Sequence, residues 1–233
     1  MVKVITDVDG CLSAGRFAPF NLDAFKRLQK IVEQNDIHLV LASGRAQGYL
    51  ECISQILNLN TPYICENGAA IFDPHLNKYI YNTESALIEQ ASNSIVDKFK
   101  KAAVFEPNKQ FTLSLRLVND QFADIKEEFT AINELLSDVE ELDVTHSNSA
   151  IDILPKSHSK LSALEILCTQ NNWSPEEFIG FGDSKNDLDF LSVCKVAGAP
   201  ANCTPQVANL VDHVSQYEDI EGLVEFLNST LAS

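Results

Sequence analysis

The sequence has little positive charge and no long apolar run. Its 233 residues contain 17 lysines and arginines against 33 aspartates and glutamates, which gives a formal net charge of −16. Nucleic acids and anionic membranes both require a basic protein face, so we expect neither as a partner. A small anionic ligand needs only a local positive site and stays possible. No apolar run reaches the length that spans a bilayer.

Paired cysteine spacing is also missing. The six cysteines are scattered without a CxxC pair, and the five histidines lack the spacing of metal ligands. The first ten residues, MVKVITDVDG, reach an acidic residue at position 7, so we expect no signal peptide. We therefore expect reduced thiols and a cytoplasmic protein. The hydrophobic fraction of 45% excludes a mainly disordered chain, and no feature indicates an oligomeric state.

Short apolar runs alternate with amphipathic stretches at both ends of the chain. The first part predicts strand, helix, strand, helix and strand over residues 2–5, 21–34, 37–42, 49–57 and 63–65. The last part predicts helix, strand, helix, strand and two further helices over residues 161–168, 178–181, 187–193, 195–197, 204–210 and 218–227. This rhythm is typical of an α/β fold with a Rossmann-like, doubly wound parallel sheet.

The middle of the chain has a different pattern. It predicts a helix over 85–101, a strand over 111–118, a helix over 121–136 and strands over 142–146 and 150–154. The sequence HSNS at 146–149 is typical of a hairpin turn between the last two strands. We therefore expect an inserted α+β domain over 83–153, within a core domain made of 1–82 and 154–233.

Polar side chains follow the predicted core strands where each strand ends. Ligands of open parallel sheets bind beyond the carboxyl ends of the strands, so these side chains are candidates for a shared site. The candidates come from four segments: Asp7 and Asp9; Ser43, Gly44 and Arg45; Lys160; and Asp183, Asn186 and Asp187.

The charges of these segments predict metal and phosphate chemistry. Four clustered carboxylates repel one another, and oxygen ligands without histidine or thiol suit Mg²⁺. Lys160, Ser43 and the backbone N–H of Gly44 could hold phosphate oxygens. An aspartate beside a metal can accept a phosphoryl group as a nucleophile, and a second aspartate two residues later could act as acid and then base.

Four sequence segments resemble, in order and spacing, the motifs of the haloacid dehalogenase (HAD) phosphatases. They are DVDG, LASGR, LPKSHSK and GFGDSKNDLDF. The chain is most similar to the subgroup with a large α/β cap between the second and third motifs. That subgroup includes Cof-type sugar phosphatases, sucrose-phosphate phosphatase and archaeal phosphoglycolate phosphatase. The segments CENGA at 65–69 and APANC at 199–203 resemble further segments of the subgroup.

The resemblance implies a role for each matching residue. Asp7 would be the nucleophile and Asp9 the general acid and base, with Ser43 and Lys160 holding phosphate. Gly44, Arg45 and Asn186 would add phosphate or substrate contacts. Mg²⁺ would be bound by Asp183, Asp7 and the carbonyl of Asp9, and Asp187 would complete the metal loop. One departure is Cys11, which stands where Thr or Val is usual and places a thiol near the nucleophile.

The implied activity is Mg²⁺-dependent hydrolysis of a small phosphate monoester through an aspartyl-phosphate. The partner would be a small phosphorylated metabolite of carbohydrate metabolism, of the sugar phosphate or phosphoglycolate type. One alternative is a phosphomutase on the same core and cap, which must exclude water and rebind its intermediate. Another is a non-enzymatic phospho-receiver, although receivers are shorter and lack an inserted cap.

A candidate specificity residue lies in the inserted domain. Residues 111–117 alternate strictly, so Phe111, Leu113, Leu115 and Leu117 should cover the helices. Thr112, Ser114 and Arg116 should then share the opposite, open face. Arg116 is our candidate for binding a second anionic or polyhydroxyl group of the substrate. The alternative is an exposed arginine on a solvated face.

Overall fold

A computed structural model of the chain describes residues 1–15, 17–118, 122–146, 150–156 and 158–232. The chain divides into two compact units, one formed by Met1–Ile80 with Ser159–Ser233 and the other by Tyr81–His158. Within the described residues, no helix is both long and apolar enough to cross a membrane.

The first unit is built on a sheet of five parallel strands, β1 (Val2–Thr6), β2 (Ile37–Leu41), β10 (Phe178–Phe181), β11 (Val196–Ala199) and β12 (His213–Val214). Their order in the sheet is β12-β11-β10-β1-β2. Strand β1 lies in the middle and pairs in parallel with β10 on one side and β2 on the other. Its last three residues are buried, as are all four residues of β10. Near-continuous apolar runs of this kind are expected of parallel strands covered on both faces.

Helices flank this sheet. They are α1 (Leu22–Gln34), α2 (Gln47–Ile56), α5 (Lys160–Asn171), α6 (Leu188–Leu191), α7 (Pro205–Ala208) and α8 (Asp219–Leu231). Local sequence fixes where they begin. The side chain of Asn21 accepts a hydrogen bond from the Ala24 N–H at the start of α1. Ser159 and Ser162 form a reciprocal capping box at the start of α5, which fixes the position of Lys160 as its first residue.

A separate three-stranded sheet follows α2 along the chain. Strands β3 (Tyr63–Cys65), β4 (Ala70–Asp73) and β5 (Lys78–Asn82) form a sheet in that order, with β3 and β4 antiparallel. A single parallel bridge between Ala42 and Ile64 joins β3 to the end of β2.

The second unit consists of an antiparallel sheet and two helices. Its elements are α3 (Ala86–Phe99), β6 (Ala103–Phe105), β7 (Leu113–Leu117), α4 (Ile125–Leu135), β8 (Leu142–His146) and β9 (Ile151–Pro155), with the strand order β6-β7-β9-β8. One face of the sheet packs on the helices, because Leu115, Leu117 and Ile153 share a core with Ile95 and Ile132. These elements confirm an α/β fold with a Rossmann-like parallel sheet and an inserted α+β unit.

Several boundaries differ from the sequence prediction. The predicted inserted domain, 83–153, ends inside β9, whereas the compact unit runs from Tyr81 to His158 and contains the whole of β9, which pairs with β8 up to Pro155. Strands β4, β5, β6 and β12 were not predicted, because their sequences show neither a clear period of two nor a long apolar run. The predicted helix over 121–136 begins later, where Asp124 caps α4. The predicted hairpin turn includes residues 147–149, which lie outside the described residues.

Candidate active site

Three neighbouring strands bring the predicted site residues of the first unit to one sheet edge. Strands β10, β1 and β2 are adjacent, and Asp183, Asp7 and Ser43 follow their carboxyl ends. The pairing continues past the strands, because the Asp7 N–H donates to the Phe181 carbonyl at 3.0 Å and the Ala42 N–H donates to the Thr6 carbonyl at 2.9 Å. The loops therefore leave the sheet side by side.

A buried lysine joins two of the carboxylates. The Lys160 Nζ lies 2.8 Å from Asp7 Oδ1 and 2.7 Å from Asp187 Oδ1, and all three side chains are almost fully buried. Burial alone lowers the pKa of Lys160, but the carboxylates of Asp187 and Asp7 outweigh this and raise the pKa above its ordinary value. Lys160 is therefore a charged lysine that holds the side chain of Asp7 in place.

Asp7, Asp183 and Asp187 form a carboxylate cluster. Each offers one oxygen, and these oxygens lie within 4.8 Å of one another. Burial, together with the charge of Asp187, raises the pKa of Asp183 to about 6, although Lys160 acts in the opposite direction. The pKa of Asp7 is also raised, by burial and then by Asp187. A group of hard oxygen donors with unbalanced negative charge fits Mg²⁺, and these three residues could hold it.

The fourth predicted metal residue, Asp9, has its carboxylate outside this cluster. Arg45 donates to it from two nitrogens, with Nε 2.7 Å from Oδ2 and Nη2 2.6 Å from Oδ1. The Asp9 carboxylate is thus oriented by an arginine that the sequence predicted to contact phosphate or substrate.

Asp187 also shapes the loop that contains Asp183. Its Oδ2 accepts hydrogen bonds from the N–H groups of Asp183 and Ser184, both at 3.0 Å. The nearby Asn186 donates from Nδ2 to Asn67 Oδ1 at 3.3 Å. Hydrogen bonds within the loop, and one to Asn67, therefore fix the position of Asp183.

Two glycines allow the loops to approach closely. Gly10 has φ of +87°, and a Cβ there would lie 2.5 Å from Asp183 Oδ2. Gly68 has φ of +98°, and a Cβ there would lie 2.0 Å from the Ser159 carbonyl oxygen. Only glycine fits both the space and the backbone conformation at these positions. Gly68 consequently allows the start of α5, and with it Lys160, to pack against the turn after β3.

The segment after β2 is organised by backbone contacts. Ser43 is buried, and its Oγ accepts a hydrogen bond from the Arg45 N–H at 3.2 Å. The Ser43 carbonyl accepts from the Asn67 N–H at 2.9 Å. Gly44 leaves room for the Asn67 side chain, which would lie 3.0 Å from a Cβ at that position.

Two residues with structural roles at this edge were not predicted. Asn67, which has φ of +57°, contacts both the Ser43 and the Asn186 segments. Asn202 donates from Nδ2 to the Gly10 carbonyl at 2.9 Å and thereby holds the loop after β1. Both belong to segments that resembled family segments, which was the available signal, but no chemical pattern assigned them a role.

Cys11 is fully buried, with its Sγ 4.0 Å from Asp183 Oδ1. Burial raises the pKa of this thiol well above its ordinary value, and the charges of Asp183 and Asp7 raise it further. Both effects lower the thiolate fraction and favour an inert packing residue over a reactive one.

Arg116 belongs to the second unit and is already paired. Its Nε and Nη2 donate to the carboxylate of Glu128, at 2.9 Å to Oε2 and 2.6 Å to Oε1. Glu128 is buried and also accepts from the Leu117 N–H at 2.8 Å. Ser114, predicted on the same open face, is buried and hydrogen-bonded to Lys109 and Asp152. A role of Arg116 in substrate binding stays a prediction.

Comparison with known proteins gives consistent similarities. A curated phosphoglycolate phosphatase of Staphylothermus marinus is 26% identical over 230 residues, which cover 97% of this chain and 95% of that protein. A second, from Methanospirillum hungatei, is 26% identical over 231 residues and covers 96% and 94%.

Solved structures share the fold. A protein of Thermoplasma acidophilum superposes with a TM-score of 0.82 at 18% identity, covering 100% of this chain and 99% of the other. A haloacid dehalogenase-like hydrolase of Bacteroides thetaiotaomicron gives a TM-score of 0.82 at 17% identity, covering 98% and 99%. The sequence profile of the haloacid dehalogenase-like hydrolases matches residues 4–114 and 89–227. The chain therefore belongs to the haloacid dehalogenase-like hydrolase family.

Proposed function

We propose that the protein is a Mg²⁺-dependent phosphatase that hydrolyses a small phosphate monoester through an aspartyl-phosphate on Asp7. The main support is the Asp7 carboxylate, which is buried at the sheet edge, held by Lys160 and grouped with Asp183 and Asp187. Family membership and the curated phosphatase relatives point in the same direction.

In the first step, an oxygen of Asp7 attacks the phosphorus atom in line with the ester bond. The Lys160 Nζ and the Val8 N–H both contact Oδ1, so we assign the attack to Oδ2. The bond between phosphorus and the leaving oxygen breaks, and that oxygen takes a proton from Asp9. The products are the alcohol and the phosphorylated Asp7.

In the second step, water attacks the phosphorus atom and Asp9 removes its proton. The bond between phosphorus and Asp7 breaks, which restores the carboxylate and releases inorganic phosphate. Lys160 and Ser43 offset the charge on the phosphoryl oxygens. Positioning and electrostatics would supply most of the rate enhancement, as in other phosphoryl transfers.

Asp7, Asp183 and the Asp9 carbonyl would hold Mg²⁺, and Asp187 would complete the metal site and support the loop of Asp183. When bound, the ion would supply positive charge to the carboxylate cluster and to the phosphoryl oxygens. The chain's own residues explain why such charge is needed, since Lys160 is shared between Asp7 and Asp187.

We place the substrate among small phosphate monoesters of the phosphoglycolate or sugar phosphate type. The support is the naming of the two curated relatives as phosphoglycolate phosphatases at full-length coverage.

The test is a screen of phosphate monoesters with the purified protein, with Mg²⁺ or with EDTA, in which inorganic phosphate is detected. We expect turnover only with Mg²⁺, and Asp7→Asn should reduce it by at least about 10³-fold because an amide is no nucleophile. Acid quenching and mass spectrometry should locate phosphate on Asp7 in the wild type. More than about a tenth of the wild-type rate in Asp7→Asn would refute the covalent mechanism.

The same screen separates the alternatives. A phosphomutase would require a sugar bisphosphate and would release little inorganic phosphate. A phospho-receiver would retain phosphate on Asp7 without turnover. Either outcome would replace the proposed hydrolysis.

A further inference from the structure

We propose that Arg45 is a positioning residue that orients the Asp9 carboxylate for proton transfer, rather than a ligand of the substrate phosphate. The inference rests on the proposed function, in which Asp9 is the general acid and base. It departs from the sequence prediction, which placed Arg45 among the phosphate and substrate contacts.

The first support is the geometry of the pair. Arg45 Nε and Nη2 donate to different oxygens of Asp9, at 2.7 and 2.6 Å. A two-point contact of this kind fixes the plane of a carboxylate as well as its position. Each Asp9 oxygen still has a second lone-pair site, so proton transfer is not blocked. A substrate phosphate that approached this same edge of the guanidinium would have to compete with Asp9 for Nε and Nη2.

The second support is that Arg45 is itself held in place. Its N–H donates to Ser43 Oγ at 3.2 Å, and its carbonyl accepts from the Glu66 N–H at 3.0 Å. Its guanidinium carbon lies 4.8 Å from the ring centroid of Tyr49, in the first turn of α2. The Arg45 side chain is only 15% exposed. Because its backbone hydrogen bonds and the Tyr49 ring hold Arg45 in place, its guanidinium can orient the more exposed Asp9 carboxylate.

The third support is chemical. Asp9 is 32% exposed and lies outside the cluster of Asp7, Asp183 and Asp187, so Lys160 does not orient it as it does Asp7. A guanidinium remains protonated in proteins and cannot transfer the proton itself. Arg45 would therefore act through Asp9, and its removal should impair mainly the reactions that depend on a well-placed acid.

This dependence differs among substrates. An alkyl phosphate has a poor leaving group that needs a proton as its bond breaks, whereas 4-nitrophenyl phosphate has a leaving group that departs without one. Misplacing Asp9 should therefore lower kcat/KM strongly for alkyl esters and weakly for the nitrophenyl ester.

The experiment measures kcat/KM for a series of phosphate monoesters that differ only in leaving-group basicity. We expect Arg45→Ala to lower kcat/KM about 10- to 100-fold for alkyl esters and less than about 3-fold for 4-nitrophenyl phosphate, so that the dependence on leaving-group basicity becomes steeper. Arg45→Lys keeps the positive charge but loses the planar arrangement of donors. We therefore expect its kcat/KM to depend on leaving-group basicity as steeply as that of Arg45→Ala. Thermal unfolding of each variant checks that the fold is intact.

Two controls make the reading specific. In an Asp9→Asn background, Arg45→Ala should cause no further loss, because the group it orients is gone. Arg27→Ala removes an arginine of the first unit that pairs with Glu221 on α8, and it should leave the leaving-group dependence unchanged.

Three results would overturn the inference. An equal loss for every ester, with a raised KM that Arg45→Lys restores, would make Arg45 a phosphate ligand. A gain in activity in Arg45→Ala would show that the pair holds Asp9 in an unproductive orientation. An additive loss in the Asp9→Asn background would show that Arg45 acts independently of Asp9. No hydrolysis by the wild type would overturn the proposed function and this inference with it, whereas the three results above require an active wild type.

Discussion

Replacing Lys160 with methionine would test what holds the carboxylate cluster together. The Lys160 ammonium lies within 2.8 Å of Asp7 Oδ1 and within 2.7 Å of Asp187 Oδ1, and it is buried. Methionine has a similar length and shape but no charge. The substitution would therefore leave Asp7, Asp183 and Asp187 facing one another without the ammonium.

The size of the effect follows from the burial of these groups. Removing one partner of a buried ion pair costs about 3–5 kcal/mol, because the remaining charge stays desolvated without its partner. In a protein of this size each kcal/mol corresponds to about 2–4 °C in Tm. We therefore expect Lys160→Met to lower the Tm of the first unit by roughly 6–20 °C in metal-free buffer.

The assay can follow the first unit alone. The chain contains a single tryptophan, Trp173, which belongs to the first unit and has its ring centroid 4.7 Å from that of His38. Its fluorescence during heating in EDTA should report unfolding of this unit. Lys26→Met is the matched control, since Lys26 pairs with Asp23 on the surface and its loss should change Tm by less than about 2 °C.

A double variant tests the stated cause. Asp7→Asn combined with Lys160→Met removes one of the stranded carboxylates, so it should unfold at a higher temperature than Lys160→Met alone. A Tm for Lys160→Met equal to that of Lys26→Met would refute the electrostatic reasoning. The same conclusion would follow if the double variant were no more stable than the single one.

Three further predictions concern the metal, the second unit and the loop packing. Mg²⁺ at about 100 times its Kd should raise the free energy of unfolding by about 2.7 kcal/mol, and with it the Tm measured by differential scanning calorimetry. Asp183→Ala should show no increase in Tm on addition of Mg²⁺, and an increase equal to that of the wild type would place the ion elsewhere. The hydrogen bond from Arg116 holds the pKa of Glu128 below its ordinary value, so the pair contributes stability above about pH 4.3 that is lost as pH falls through the folded-state pKa. Denaturation followed by circular dichroism should show that Glu128→Gln loses about 1 kcal/mol less unfolding free energy on acidification than the wild type. The same dependence of stability on pH in both proteins would count against this pair. Gly68→Ala should lower stability by about 2–3 kcal/mol in chemical denaturation, because its Cβ would meet the Ser159 carbonyl at 2.0 Å with φ of +98°, and wild-type stability would contradict the close contact.

The residues at the carboxyl ends of the first unit's parallel strands could be predicted, because short stretches of sequence are enough to identify them. Asp7, Ser43 and Asp183 each come within two residues of the end of a short buried strand, and neighbouring parallel strands bring their carboxyl ends to the same side of a sheet. Asp7, Ser43 and Asp183 were identified by this rule alone. The alternation of residues 111–117 was confirmed in part: Leu115 and Leu117 pack on the helices as predicted, whereas Thr112 and Ser114, predicted on the open face, are buried.

Other features depend on partners that are distant in sequence. β6 has three residues, too few to show a period of two, and is defined by its pairing with β7. The approach of Gly68 to Ser159 depends on where α5 packs. Asn67 and Asn202 have ordinary side chains for turns, and only the folded chain shows that they tie separate loops together.

Charge pairing was the largest gap between sequence and structure. Arg45 was predicted as a contact for the substrate from its place after a core strand and from the family resemblance, and Arg116 from its place on the predicted open face of residues 111–117. In the folded chain Asp9 and Glu128 already occupy two donors of each. A sequence shows how many cations it has, but it does not show which carboxylate competes for each of them.

The pairing also argues for an added cation at the cluster. Asp7, Asp183 and Asp187 bring three negative charges when ionised, and Lys160 brings one positive charge, while Arg45 is matched by Asp9. The difference, three minus one, leaves two negative charges where a phosphate anion would have to approach. Like charges at this distance repel strongly in a partly buried site. A divalent cation would cancel that excess, so the balance of the chain's own charges favours a Mg²⁺-dependent reaction over one that relies on Lys160 alone.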